Sequence, residues 1–116
     1  MRWLECIRLR TAQAKAEKVA GDLEAHLAGL QKEAGLIWAS FYKGIRPDGD
    51  FNLALLWNTD RVESGGSHVA RRLIPIFRNH GLVNYSVWAE KEEAFVRGKA
   101  WGDLHEPADT QYPEYA

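Results

Sequence analysis

His68 is the first residue to consider for chemistry. It directly follows Ser67, where a helix is predicted to begin. An imidazole can act as a general base near neutral pH or bind the iron of haem. A histidine in the first turn of a helix can equally be an ordinary surface residue. His80 precedes Gly81 at the predicted end of the same helix, where a favourable interaction with the helix dipole explains it well.

Aromatic side chains recur on the predicted strands and could hold a flat ligand by stacking. Trp57 is followed by Asn58, whose amide could form a hydrogen bond to such a ligand. Trp38, Tyr42 and Tyr85 could line the same cavity. The alternative is that Trp57 belongs to the core, that Asn58 opens a loop and that the other rings fill a dimer interface.

Several classes of site have no motif in this chain. It has no HExxH, no CxxC and no histidine pair at ligand spacing, so we expect no metal site. It also has no GxGxxG or GxxxxGK[ST] loop, and Gly65-Gly66-Ser67 is a poor anion-binding signal. Cys6 is the only cysteine, which excludes an intrachain disulfide.

Charge and the N-terminal sequence bear on partners and location. The net charge of -1 argues against binding to nucleic acid or to an anionic membrane. The first residues, MRWLECIRLR, lack the features of a signal peptide, and no run is long enough for a membrane span. We therefore expect a cytoplasmic protein.

The elements that must position these side chains follow from the hydrophobic periods. Alternation of period two predicts strands at residues 2–11, 36–44, 51–58 and 82–89, and turn residues at 46–50 join the middle two as a hairpin. Apolar residues three or four apart predict one helix over residues 14–34 ending at Gly35, and a second after Ser67 that Pro75 should kink or split. The order βαββαβ predicts an α+β, ferredoxin-like fold, with two helices on one face of a four-stranded antiparallel sheet.

The sheet face opposite the helices has no predicted element to cover it. Both faces carry large side chains, so the sequence does not tell which face is exposed. An apolar patch of that size is typical of an interface, and the simplest solution is a homodimer formed through the sheet face. We divide the chain into a domain at residues 1–91 and a C-terminal extension at 92–116, which we expect to dock partly on the partner subunit.

Three segments carry a resemblance to a known family: WLECIRLR from Trp3, AGLIWASFY from Ala34 and LLWNTD from Leu55, with SHVA from Ser67 at the second helix. In these segments the chain resembles the dimeric α/β-barrel superfamily, most closely its antibiotic biosynthesis monooxygenase-like branch. The resemblance implies a homodimer with cavities between sheet and helices. It also implies that His68 faces a cavity and that Trp57, near the end of the third strand, helps to bind a ligand.

The resemblance makes a cofactor-independent monooxygenase of a phenolic or quinol-type aromatic the leading expectation, with His68 as the base. The substrate-binding residues would be Trp57, Asn58, Trp38, Tyr42 and Tyr85. A homodimeric binder of a small hydrophobic ligand is the alternative. Haem binding through His68 or His80 is a third, although the first strand has Glu5 and Cys6 where haem-degrading relatives have an asparagine.

Overall fold

The computed structural model describes residues 1–91, and the predicted extension at 92–116 lies outside the described residues. The described chain forms four strands and two α-helices: β1 (Arg2–Arg10), α1 (Ala16–Glu24), β2 (Leu36–Lys43), β3 (Asp50–Asn58), α2 (His68–Arg78) and β4 (Leu82–Ala89). The strands form one sheet in the order β2-β3-β1-β4, and every neighbouring pair is antiparallel. The predicted α+β, ferredoxin-like fold is confirmed.

The first helix is much shorter than the sequence predicts. It ends at Glu24, where the N–H groups of His26 and Leu27 bond to carbonyls three residues back. Such tight bonds close a helix, and Gly29 then adopts a left-handed φ of +85°. The apolar period of the sequence continues beyond the helix to Leu30. A short 3-10 turn at Leu30–Lys32 places that side chain in the core.

The second helix begins as predicted. The Ser67 hydroxyl accepts a hydrogen bond from the N–H of Ala70, so Ser67 is the N-cap. The sequence predicts that Pro75 kinks or splits this helix; the helix continues through Pro75 to Arg78, so it is not split, and a kink stays a prediction. Pro75 removes one backbone hydrogen-bond donor from the helix. The packing of Leu73 and Phe77, both fully buried, stabilises the helix by more than that loss.

The structure decides which face of the sheet the helices cover. On β1 the buried side chains are Trp3, Glu5, Ile7 and Leu9, and those of β3 that pair with them are Phe51, Leu53, Leu55 and Trp57. They form one core with apolar side chains of the helices: Ala16, Val19, Leu23, Leu30, Val69, Ala70, Leu73 and Phe77. The alternate residues of each strand occupy the opposite face, named here the open face, which no described helix covers.

Within residues 1–91, no helix combines the length and the apolar character that crossing a membrane requires.

Candidate functional site

The six residues predicted to form the site lie on two sides of the sheet. Three of them, His68, Trp57 and Tyr85, lie on the side of the helices. The other three, Trp38, Tyr42 and Asn58, pair across the strands with residues of the open face. In the described chain the six side chains therefore do not surround a single pocket.

His68 forms a close pair with a carboxylate that the sequence did not indicate. Its Nε2 lies 2.7 Å from Oε1 of Glu33, in the irregular segment between α1 and β2. The imidazole is 64% exposed and the carboxylate 28%. Because an ionised carboxylate can only accept, Nε2 of His68 carries the hydrogen of this bond. In a neutral imidazole, Nδ1 is then the nitrogen that can take up a proton.

Trp57 lies beside this pair and forms part of its apolar surroundings. Its ring centroid is 6.4 Å from that of His68, with the two planes tilted by 56°. On the other side the indole stacks on Trp3, with centroids 5.7 Å apart and planes 18° apart. Trp57 is 2% exposed, so its ring belongs to the core. Packing and contact with the candidate base are thus combined in one side chain.

Glu5 is the functional candidate that the sequence reading missed. Its side chain is fully buried on β1, between Trp3 and Ile7 on the core face. Its Oε1 accepts hydrogen bonds from Trp57 Nε1 at 2.8 Å and Ser67 Oγ at 2.7 Å. Its Oε2 accepts from the Ser67 N–H at 2.8 Å and the Tyr85 hydroxyl at 2.5 Å. The available signal was an acid at a core-facing position of an otherwise apolar period.

Tyr85 serves this cluster as a hydrogen-bond donor. Burial, and then its hydrogen bond and charge interaction with Glu5, raise the pKa of the phenol well above its usual value. The phenol therefore stays protonated through the physiological range, and Tyr85 acts as a donor rather than as a base. Gly66, at a φ of +100°, turns the chain beside this hydroxyl and leads directly into Ser67.

A cavity of about 320 Å³ opens between β2 and the segment that follows α1. Its lining is mainly apolar and includes the Gln31 amide and the Trp38 indole: Leu27, Leu30, Gln31, Leu36, Ile37, Trp38, Ala39, Phe41 and Leu53. Glu33 lies in the chain between Leu30 and Leu36, so the segment that holds His68 also forms a wall of this cavity. The volume is at the lower end of the range typical of small-molecule sites, about 300 to 1,000 Å³.

The side chains of the open face form three rows that run across all four strands. An aromatic row consists of Trp38, Leu56, Leu4 and Trp88, and a small-residue row of Ser40, Ala54, Cys6 and Ser86. The third, polar row consists of Tyr42, Asn52, Arg8 and Asn84. Trp88 is 60% exposed, Tyr42 51% and Trp38 41%. Asn58 lies beyond the aromatic row, where its Oδ1 accepts a hydrogen bond from the N-terminal amine.

The predicted absence of a metal site remains an expectation for the whole chain. Among residues 1–91, no three histidine, cysteine or acidic side chains are grouped so that they could hold a metal ion. His68 and His80 flank opposite ends of α2, so a haem would have to use one or the other alone. Haem binding through either histidine stays a prediction.

Comparisons with known proteins bear on the fold. No family model matches the sequence, and no curated protein matches it. Similar solved structures include a proposed antibiotic biosynthesis monooxygenase from Deinococcus radiodurans, at 12% identity and a TM-score of 0.61, covering 83% of this chain and 99% of that one. A protein from Mycobacterium tuberculosis has 16% identity and a TM-score of 0.60, covering 82% and 100%.

A third similar structure is a protein of unknown function from Bacteroides thetaiotaomicron, suggested to be an oxidoreductase. It has 16% identity and a TM-score of 0.57, and the match covers 75% of this chain and 95% of that one. The chain has the fold of these proteins. The resemblance expected from the sequence is therefore confirmed at the level of the fold. At such low sequence identities it does not identify a substrate.

Proposed function

We propose that this protein is a cofactor-independent monooxygenase-like enzyme that acts on a phenolic or quinol-type aromatic. The proposal rests on the pair of His68 and Glu33, whose Nε2 and Oε1 lie 2.7 Å apart beside Trp57. The chain segment that contains Glu33 also lines a mainly apolar cavity. The fold, shared with proteins proposed to be monooxygenases, supports the same reaction class. Fold alone does not carry function, so the proposal depends on the site.

In this proposal the aromatic ring occupies the cavity between Leu30, Leu36 and Phe41, with its hydroxyl toward His68. Glu33 holds Nε2 of the imidazole, so Nδ1 accepts the phenolic proton. Apolar walls keep water away from the resulting anion, which favours its reaction with O₂ over its reprotonation.

The proposed reaction balances without a cofactor. The phenolate passes one electron to O₂, and recombination of the two radicals forms a carbon–oxygen bond at a ring carbon that bears hydrogen, ortho or para to the hydroxyl. Proton loss from that carbon, with cleavage of the O–O bond, then leaves a quinone and water. One oxygen atom of O₂ enters the product and the other leaves as water, and the ring supplies the electrons.

We also propose that the open face packs against the same face of a second copy. The support is the exposure of Trp88, Trp38 and Tyr42 on one continuous surface. The small-residue row lies between the aromatic and polar rows, so a partner's aromatic row could enter it. In this proposal Tyr42 serves the interface, whereas Trp38 lies on the open face and also lines the cavity.

A non-catalytic binder of a small hydrophobic ligand is the second candidate. The cavity lining favours it, because Gln31 and Trp38 are the two side chains there that could orient a ligand by hydrogen bonding. This candidate predicts ligand binding that does not depend on His68.

Oxygen uptake with a panel of hydroquinones and anthrone-like phenols tests the proposal. We expect His68→Ala to lower turnover by about 100-fold, the scale of a lost general base. His26→Ala, which changes an exposed histidine on the segment after α1, is the matched control and should keep wild-type turnover. Binding of a phenol without oxygen uptake by the wild-type protein would favour the non-catalytic binder. Unchanged turnover in His68→Ala would remove the assignment of the base.

A further inference from the structure

Glu5 is a carboxyl group in the middle of an apolar core, and such a position needs an explanation. Its side chain is fully buried, and its register partners are Leu55 on β3 and Val87 on β4. Leaving a carboxylate unpaired in such surroundings strongly destabilises the folded state. A leucine would pack here without that cost, so the acid must be stabilised by specific partners.

The partners of Glu5 saturate its two oxygens. Each oxygen accepts one bond from an N–H group, which can only donate: Trp57 Nε1 to Oε1 and the Ser67 backbone to Oε2. Each also accepts one bond from a hydroxyl, of Ser67 and Tyr85 respectively. None of the four donors carries a positive charge. The carboxylate also lies beside the first turn of α2, where the helix dipole favours a negative charge.

These four bonds join three elements to the central strand. Trp57 and Tyr85 each lie two residues along from the residue that pairs with Glu5, which is the diagonal position that long side chains reach across a sheet. Ser67 is the N-cap of α2. A single carboxylate therefore connects the end of β3, the start of α2 and the middle of β4.

Both neighbours of the candidate base are bound by this carboxylate. His68 directly follows Ser67, and its ring lies 6.4 Å from that of Trp57. We propose that Glu5 is a positioning residue, which holds His68 against Glu33 and Trp57 by binding Ser67 and the Trp57 indole. The importance of that position for catalysis rests on the proposed function, whereas the positioning itself can be measured without a substrate.

The variant Glu5→Gln tests this directly. A glutamine places an NH₂ group where one oxygen was, and in either orientation that group opposes an N–H donor, from Trp57 or from Ser67. One neighbour of His68 must therefore move. In NMR spectra of the full chain, we expect the cross-peak between the His68 and Trp57 ring protons to weaken or disappear. An undiminished cross-peak in folded Glu5→Gln protein would overturn the proposal.

Two further variants keep the test decisive. Ser67→Gly removes the hydroxyl bond to Glu5, and with it the capping bond from Ala70. It retains the backbone N–H and an acceptable N-cap residue, so it should fold and show a weakened cross-peak. If Glu5→Gln does not fold, an unchanged cross-peak in Ser67→Gly would overturn the proposal by itself. Val19→Ala is the matched control, because it removes buried packing on α1, which makes no bond to Glu5. It should lower stability and leave the cross-peak intact.

Kinetics separate this inference from the proposed function. For a turned-over phenol, we expect Glu5→Gln to lower kcat by about 10- to 100-fold with little change in KM, because the cavity walls are untouched. Loss of the cross-peak in a protein without oxygenase activity would support the positioning role and refute the proposed function. A retained cross-peak with full turnover in Glu5→Gln would refute the positioning role alone.

Discussion

The two faces of the sheet carry the same kinds of residue and differ in what covers them. Trp3 and Trp57 on the helix side are 1% and 2% exposed, whereas Trp38 and Trp88 on the open face are 41% and 60% exposed. Both pairs lie in strands with a similar alternation of side chains between the two faces. An aromatic residue at an alternating position of a strand therefore does not by itself reveal whether its side chain is buried within its own chain.

The polar groups on the two faces differ in the same way. On the helix side, both oxygens of Glu5 are saturated by donors of the same chain. On the open face, Oδ1 of Asn52 is buried and has no hydrogen-bond partner among the described residues. Buried polar atoms are usually paired, and those of Glu5 follow this rule, whereas Oδ1 of Asn52 does not within the described residues.

We expect the largest effect on stability when a tryptophan of the helix side is replaced, and a smaller one for a tryptophan of the open face. We expect Trp57→Ala to lower the free energy of unfolding by about 3 to 5 kcal/mol, because it empties a buried site and removes a donor from Glu5. Trp88→Ala should cost well under half as much at protein concentrations where the chain is monomeric. Urea unfolding of the two variants measures both values. Equal losses would contradict the distinction between the faces.

The next effect concerns the proposed dimer. Trp88→Glu places a charge in the aromatic row, and we expect it to weaken self-association by about 100-fold or more, the scale of an interface hot spot. Sedimentation velocity over a concentration series gives the association constant. Ile45→Glu, at an 89% exposed position in the turn between β2 and β3, is the control that should change nothing. A wild-type protein that stays monomeric at high concentration would refute the dimer.

A smaller effect is expected at the helix side. Glu33→Gln keeps the size of the side chain but removes the charge that holds Nε2 of His68. We expect turnover of a phenol to fall by about tenfold, less than for His68→Ala, because the largely exposed imidazole can still take up the proton. The control is Glu24→Gln, at an exposed position of α1. A rate equal to wild type would remove Glu33 from the mechanism.

The smallest effect is a pH dependence that originates at Tyr85. Its pKa is raised in the folded protein, so above the ordinary tyrosine pKa of about 10 the unfolded chain loses a proton that the folded chain keeps. The unfolded state then binds fewer protons, and stability falls as the pH rises past that point. The decline from pH 9 to 11 should be steeper in wild type than in Tyr85→Phe. Parallel curves from chemical unfolding would contradict this origin.

Local patterns predicted most of the elements, because strands and helix caps depend on neighbouring residues. The alternation over residues 82–89 matches β4 at both ends, and Ser67 is the N-cap that its residue type indicates. The same local reasoning was wrong for α1. Leu27 and Leu30 have helical spacing, yet tight bonds after Glu24 and the left-handed Gly29 bring them to the core by another path.

The sequence by itself determined the order of the strands and helices, the N-cap of α2 and the presence of aromatic side chains on both sides of the sheet. Only the tertiary structure decided which side the helices cover, and thus that Trp57 and Tyr85 share a side with His68 while Trp38 and Tyr42 do not. It also brought together Glu5, Trp57, Ser67 and Tyr85. These residues meet through strand pairing and helix packing, which no local period encodes, because hydrogen bonds between distant segments depend on the whole topology.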